Sequence, residues 1–329
     1  MSAMPTEHIA DSCVLWSGFD PSIVARSYAQ FTGILAGFAF VVINLVLDRA
    51  YRRRADGHSP GVREVDHDTS VGIALVCGFL GLFLTALRYS LLAGEQGCAL
   101  TDGRAASVEV LAAVSFGAST YMLLYAIVQF ISGSAGVLTQ HCVFMQTVLV
   151  PPMTVFFVEA TLPHLAVALG DQQTHRPLQP FWDNATQLAI PIPLAILIVC
   201  AAAWLGGVKR RRSESPTSDI ARTVRRVIPY ITVAIVGAVI IRSIVSLPPT
   251  NPAAHIGARE AWLWIVLLCV TVVIQSAALS FQKSVEVPIL PGEKQDLGDD
   301  MFDIPTGDLD GYRKPSIMGR WTQRQRRNS

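Results

Sequence analysis

Apolar residues in this chain do not alternate with polar ones; they run in long blocks separated by short polar stretches. Seven blocks reach the roughly 20 residues that a helix needs to cross a hydrocarbon core of about 30 Å. They are 27–47, 70–92, 108–131, 142–169, 187–208, 227–247 and 260–282. Barrel strands would show alternating polarity in runs of about ten residues, and no block does. The pattern predicts an all-α polytopic membrane protein with seven transmembrane helices. A leading segment, 1–26, and a tail, 283–329, flank them.

The fourth block is the longest and contains Pro151, Pro152 and Pro163. A re-entrant hairpin is the alternative there; a long, tilted or kinked helix is the reading adopted. Carbonyls freed by its prolines then need partners from neighbouring helices.

Composition supports the membrane reading. Hydrophobic residues make up 51% and charged residues only 16%, where soluble proteins average about 25% charged. Mean hydropathy is +0.42. No secretory signal pattern stands at the start, so the first span is expected to act as an uncleaved signal.

Basic residues set the orientation. With the N-terminus outside, the cytoplasmic segments carry Arg49, Arg52, Arg53, Arg54 and Arg63 in 48–69, seven in 209–226 and eight in 283–329. The outside segments carry Arg26, Arg104, Arg176 and Arg259, and Arg88 and Arg242 lie within spans. The expectation is N-out, C-in, in the cell (plasma or inner) membrane. A hairpin at 142–169 would put 209–226 outside, against this rule.

The tail has an acidic stretch followed by a basic end, Arg320, Arg324, Arg326 and Arg327. With so few apolar residues it is expected to be disordered in the cytoplasm. Its basic end and the basic loops suit anionic lipid, at about 1 kcal/mol per charge near the surface.

The order glutamine, basic run, arginine, glutamate occurs twice. Gln30, Arg52-Arg53-Arg54, Arg88 and Glu109 run through spans one to three. Gln187, Arg210-Arg211-Arg212, Arg242 and Glu260 run through spans five to seven. The pattern predicts a 3+1+3 parallel repeat, an architecture used by transporters. In span number, orientation and plan this resembles the SWEET sugar transporters. The proline-containing motif of their first helices has no counterpart in 27–47, and no family is assigned.

Charges inside a bilayer cost about 2.5–3.5 kcal/mol each at the centre on insertion scales. Five stand out here: Arg88, Glu109, Glu159, Arg242 and Glu260, all projecting to the outer half, with His164 near Glu159. Glu159 requires a cation, and Arg88 or Arg242 is the candidate. The six residues form either an outward polar cavity that binds a solute or relays protons, or a set of interhelical ion pairs that fixes the packing.

Ala29, Gly33 and Gly37 have the small-residue spacing of close helix packing, within the chain or at a dimer interface. Asn44, Gln129, Gln146 and Gln275 suit interhelical hydrogen bonds. Cys13 and Cys98 both fall outside on this topology, as a disulfide or as two free thiols.

Catalytic patterns are missing. Span seven lacks a retinal-type lysine, since Lys283 lies at its cytoplasmic end. Gly133-Ser134-Ala135-Gly136 has the wrong order for an intramembrane serine protease. No metal-ligand spacing, phosphate loop or nucleic-acid motif occurs, so no enzyme activity, cofactor or metal is expected. The sequence fits a small-solute transporter or solute-binding membrane protein. The alternative is a non-transporting scaffold, receptor or regulatory subunit acting through its loops and tail.

Overall fold

The computed structural model describes residues 21–55, 62–94, 103–132, 136–170, 177–212, 219–247 and 254–280. All belong to the compact unit Met1–Val285. The tail, the first 20 residues, Cys13 and Cys98 lie outside the described residues. Among the described residues every regular element is helical, and seven helical stretches are long and apolar enough to cross a membrane.

The first three spans are single helices: α1 (Pro21–Ala55), α2 (Val62–Gly94) and α3 (Arg104–Ser132). The fourth comprises α4 (Gly136–Phe144), a π-helical turn (Met145–Leu149), α5 (Val150–Glu159) and α6 (Leu162–Ala168). The fifth comprises α7 (Gln179–Leu188) and α8 (Pro191–Arg212). The sixth and seventh are α9 (Asp219–Ser246) and α10 (Ala258–Ser280). Helices overrun the apolar blocks where charged residues support them, as where Asp48 pairs with Arg52 at 2.8 Å one turn on.

The third span is the centre of the bundle. Of its apolar window 83% is buried, against 22% for the first span and 11% for the fifth. It packs on α2, α5, α9 and α10. Ile34, Phe38, Ile198, Ile241, Val245 and Leu263 face outward. A rim this apolar suits lipid and would be a liability in water.

The two trios of the expected repeat pack differently. In the first, α2 lies along both α1 and α3; in the second, α8 packs on α10 and α5, and α9 turns to α2 and α3.

The proline pair explains the π-turn. In an α-helix residue 151 would donate to the carbonyl of Thr147, and in a π-turn to that of Gln146, but proline has no N–H for either. Val150 donates instead to the Met145 carbonyl five residues back. The Gln146 carbonyl is met from the side by the Tyr121 hydroxyl of α3, at 3.0 Å. Tyr121 also shares a 2.6 Å hydrogen bond with Ser276 of α10. The partner that the prolines demanded is therefore a neighbouring helix. Further out, a turn at Ala160–Thr161 separates α5 from α6, and Thr161 Oγ1 caps the Val158 carbonyl at 2.7 Å.

Other small-residue and polar expectations divide. Ala29 packs on the core, but no atom lies within 4 Å of where a Cβ would stand at Gly33 or Gly37. Close packing within the chain occurs at other glycines. A Cβ on Gly207 would meet the Ser280 carbonyl, and one on Gly117 would lie 2.9 Å from the Thr154 methyl. Gln146 and Gln275 bond across helices, to the Tyr121 carbonyl (3.3 Å) and Thr232 Oγ1 (2.7 Å). Asn44 instead bonds the Phe40 carbonyl of its own helix, because its side chain faces outward with no neighbour to reach.

Candidate functional site

Helix alternation gathers one end of each of the seven spans at the end of the bundle where α3 and α10 begin. Gly103, in the left-handed region at φ 72°, turns the chain into α3, and its carbonyl accepts from both the N–H (3.0 Å) and the hydroxyl (2.7 Å) of Ser107. The Ser107 hydroxyl oxygen in turn accepts from the Ile256 N–H at 3.0 Å, tying the segment before α10 to the start of α3. Arg104 donates from Nε to the Leu247 carbonyl at 3.0 Å. It is 1% exposed, although the sequence placed it in an outside loop. The helix simply starts four residues earlier than the apolar block, and a buried guanidinium suits the carbonyl end of α9.

Arg88 also binds the end of α9, donating to Ser243 Oγ at 2.7 Å and to the Ser243 carbonyl at 3.1 Å. It is buried among spans. Arg242, one residue earlier on α9, forms a two-pronged pair with Glu260 of α10, Nε to Oε1 at 2.5 Å and Nη2 to Oε2 at 2.7 Å. Trp264 Nε1 also reaches Glu260 Oε1, at 3.5 Å. On the fourth span, His164 Nδ1 lies 2.9 Å from Glu109 Oε2 of α3. Both pairs keep some access, with side-chain exposures of 39% and 24% for Arg242 and Glu260, and 26% and 10% for His164 and Glu109.

Below these pairs lies an aromatic layer drawn from the first four spans. Tyr28 packs on Tyr89 (5.4 Å between centroids) and Phe157 (5.5 Å), and Phe116 packs on Phe157 (5.4 Å). A hydroxyl pair, Thr85 and Ser115 at 2.6 Å, joins α2 to α3 nearby.

Glu159 differs from the rest. It is 3% exposed, and neither carboxyl oxygen has a hydrogen-bond partner among the described residues. The expected cation does not arrive: Arg242 is taken by Glu260, and Arg88 is turned to the end of α9. The Glu159 carboxyl lies within electrostatic reach of Cys269 on α10.

No protein-family model, curated protein or solved structure matches the chain.

Of the six residues singled out from sequence, the structure joins Arg242 with Glu260 and Glu109 with His164. It places Arg88 on Ser243 and leaves Glu159 alone beneath. Arg104, Ser107 and Ser243 were missed. Arg104 carried a usable signal, because a cation three or four residues ahead of an apolar block is within one helical turn of it. Among the described residues no group of three or more His, Cys, Asp or Glu side chains could hold a metal ion.

Proposed function

We propose that this multi-pass protein of the cell membrane binds a small solute at the outward end of its bundle and carries it across, with its N-terminus outside and its C-terminus in the cytoplasm. One observation carries the reading: two partly accessible ion pairs stand at the same end of the bundle as an enclosed carboxyl with no partner. Ionisable residues facing the interior of a membrane bundle mark solute and ion pathways. Exchange of pairing partners gives charged groups a way to admit a polar solute without leaving a buried charge bare. The basic residues of 48–69 and 209–226 support the orientation, and their charge suits anionic lipid on the cytoplasmic side. The repeat rests on its residue order alone, since the two trios do not share a packing arrangement. The role is binding and movement, not catalysis.

A scaffold or receptor subunit is the second reading. It is favoured because each ion pair joins two different spans and so also fixes the bundle.

The test is a thermal-stability screen of the detergent-purified full chain against sugars, amino acids, organic anions and inorganic ions. A ligand at 100 times its Kd adds about 2.7 kcal/mol to the folded state. The expected result is a hit that Glu159→Gln or Arg242→Ala weakens while the unliganded protein stays folded. A blank across all classes favours the scaffold.

A further inference from the structure

The carboxyl of Glu159 has an environment that none of the other acidic groups at this end shares. It is the last residue of α5, where the unpaired carbonyls give a helix its partial negative charge. Pro163 has no N–H to offer the Glu159 carbonyl four residues back. One turn inward, Val155 packs with Ile196 and Cys200 of α8, bordered by Cys269 and Val273 of α10. An unpaired anion at a negative helix end, enclosed by apolar side chains, is the least favourable state for this group.

Something positive must therefore reach it. A calcium or magnesium ion takes about six or more oxygen ligands, and among the described residues no group of three or more acidic, histidine or cysteine side chains could hold a metal ion. A proton needs only the carboxylate itself. It bonds to one oxygen, turns the anion into a neutral acid and requires no further ligand.

The route to it starts at the accessible pair. His164 is 26% exposed at its side chain and bonds Glu109. It stands five residues along the chain from Glu159, across the turn at Ala160–Thr161. The ionisable groups on helices packed against α5 are, on α3, Arg104, which donates to the Leu247 carbonyl, Glu109, held by His164, Tyr121 and Tyr125; on α8, Cys200 and, at its far end, Lys209 and the arginines that follow; and on α10, Arg259, Cys269 and Glu260, the last held by Arg242. None brings a cation to the Glu159 carboxyl.

We infer that Glu159 is a proton-binding site inside the membrane, filled from the outward side through His164, and that this proton is the coupling ion of the transport step. The coupling role rests on the solute reading above; the binding of the proton does not.

Infrared spectroscopy of the full chain in lipid at neutral pH tests it without a solute. The expected spectrum contains the C=O stretch of a protonated carboxyl that moves on transfer to D2O. Glu159→Gln should remove that band, and Glu109→Gln and Glu260→Gln should keep it. A wild-type spectrum without the band, or a band that survives Glu159→Gln, overturns the proposal. If Glu159→Gln does not fold, dicyclohexylcarbodiimide serves on the wild type: the O–H of a protonated acid adds across its C=N bond to give an O-acylisourea, whose acyl group shifts from oxygen to nitrogen to leave a stable N-acylurea where water is excluded. An adduct at Glu159 supports the site, and adducts only at other carboxyls overturn it. His164→Ala should slow the D2O shift of the band by about tenfold or more, and an unchanged rate overturns the route. A blank solute screen with the band present sinks the solute reading alone; a solute hit with no band sinks the proton site alone.

Discussion

Arg242 and Glu260 show what a single pair contributes at this end of the bundle. Both oxygens of the carboxylate are used, but the side chains are 39% and 24% exposed, so water competes for them. Interhelical hydrogen bonds in membranes average about 0.6 kcal/mol, with a maximum near 1.7. A double-mutant cycle with Arg242→Ala and Glu260→Gln, followed by unfolding in mixed micelles, should return a coupling of about 0.5–1.5 kcal/mol. Arg104→Ala is expected to cost more, about 2–4 kcal/mol, because its loss strips a buried Leu247 carbonyl and leaves space between α3 and α9. The same unfolding measurement reads it, and equal costs for the two arginines would contradict the burial difference. These residues also mark what sequence could and could not show. The sequence offered interhelical ion pairs among the six residues as one alternative but did not pair Arg242 with Glu260, which form one. Spacing along two helices does not say how they rotate about their axes, so Glu159 was matched to arginines that face elsewhere.

At the scale of elements, the fourth span and the glycine contacts carry the testable content. Three prolines announced a broken helix, but not that the break is a π-turn held by a tyrosine from α3. Tyr121→Phe should cost about 0.5–1.5 kcal/mol, the net value of a lost hydrogen bond. Pro151→Ala restores an N–H for the turn, so the double variant should lose less than the sum of the two; strict additivity in thermal unfolding would show that the two features are unrelated. Adjacent glycines in α8 provide an internal control. Gly206 has no atom within 4 Å of a built Cβ, whereas Gly207 faces a backbone carbonyl that has no rotamer by which to withdraw. Gly207→Ala is expected to destabilise by about 1–3 kcal/mol, and Gly206→Ala to be neutral or slightly stabilising through better helix propensity. Small-residue spacing in the sequence pointed to α1, where a Cβ at Gly33 or Gly37 would meet no other helix within 4 Å among the described residues. The spacing identifies faces able to pack closely, and only the partner's position decides whether they do.

For the whole molecule, the seven spans were legible because the hydrophobic signal depends on the solvent and needs no knowledge of tertiary contacts. The helix ends were less so, since charged residues extend helices beyond the apolar blocks, as at Arg49–Ala55 and at Arg104. Orientation is open to direct measurement. In a background with Cys13 and Cys98 replaced by serine, a cysteine introduced by Ser215→Cys, in the basic segment between the fifth and sixth spans, should react with a membrane-impermeant maleimide only after the membrane is opened. Labelling in intact cells would reverse the topology. The central position of α3 has a consequence for how the protein is made. Synthesis delivers this helix third, when only α1 and α2 exist, yet α5, α9 and α10 supply much of its final enclosure. With 83% of its window destined for burial and Arg104, Ser107, Glu109, Ser115 and Ser119 along it, the nascent helix meets the bilayer carrying a polar surface still without its covers. It must linger beside the insertion machinery, or shelter against α2, until the later spans emerge.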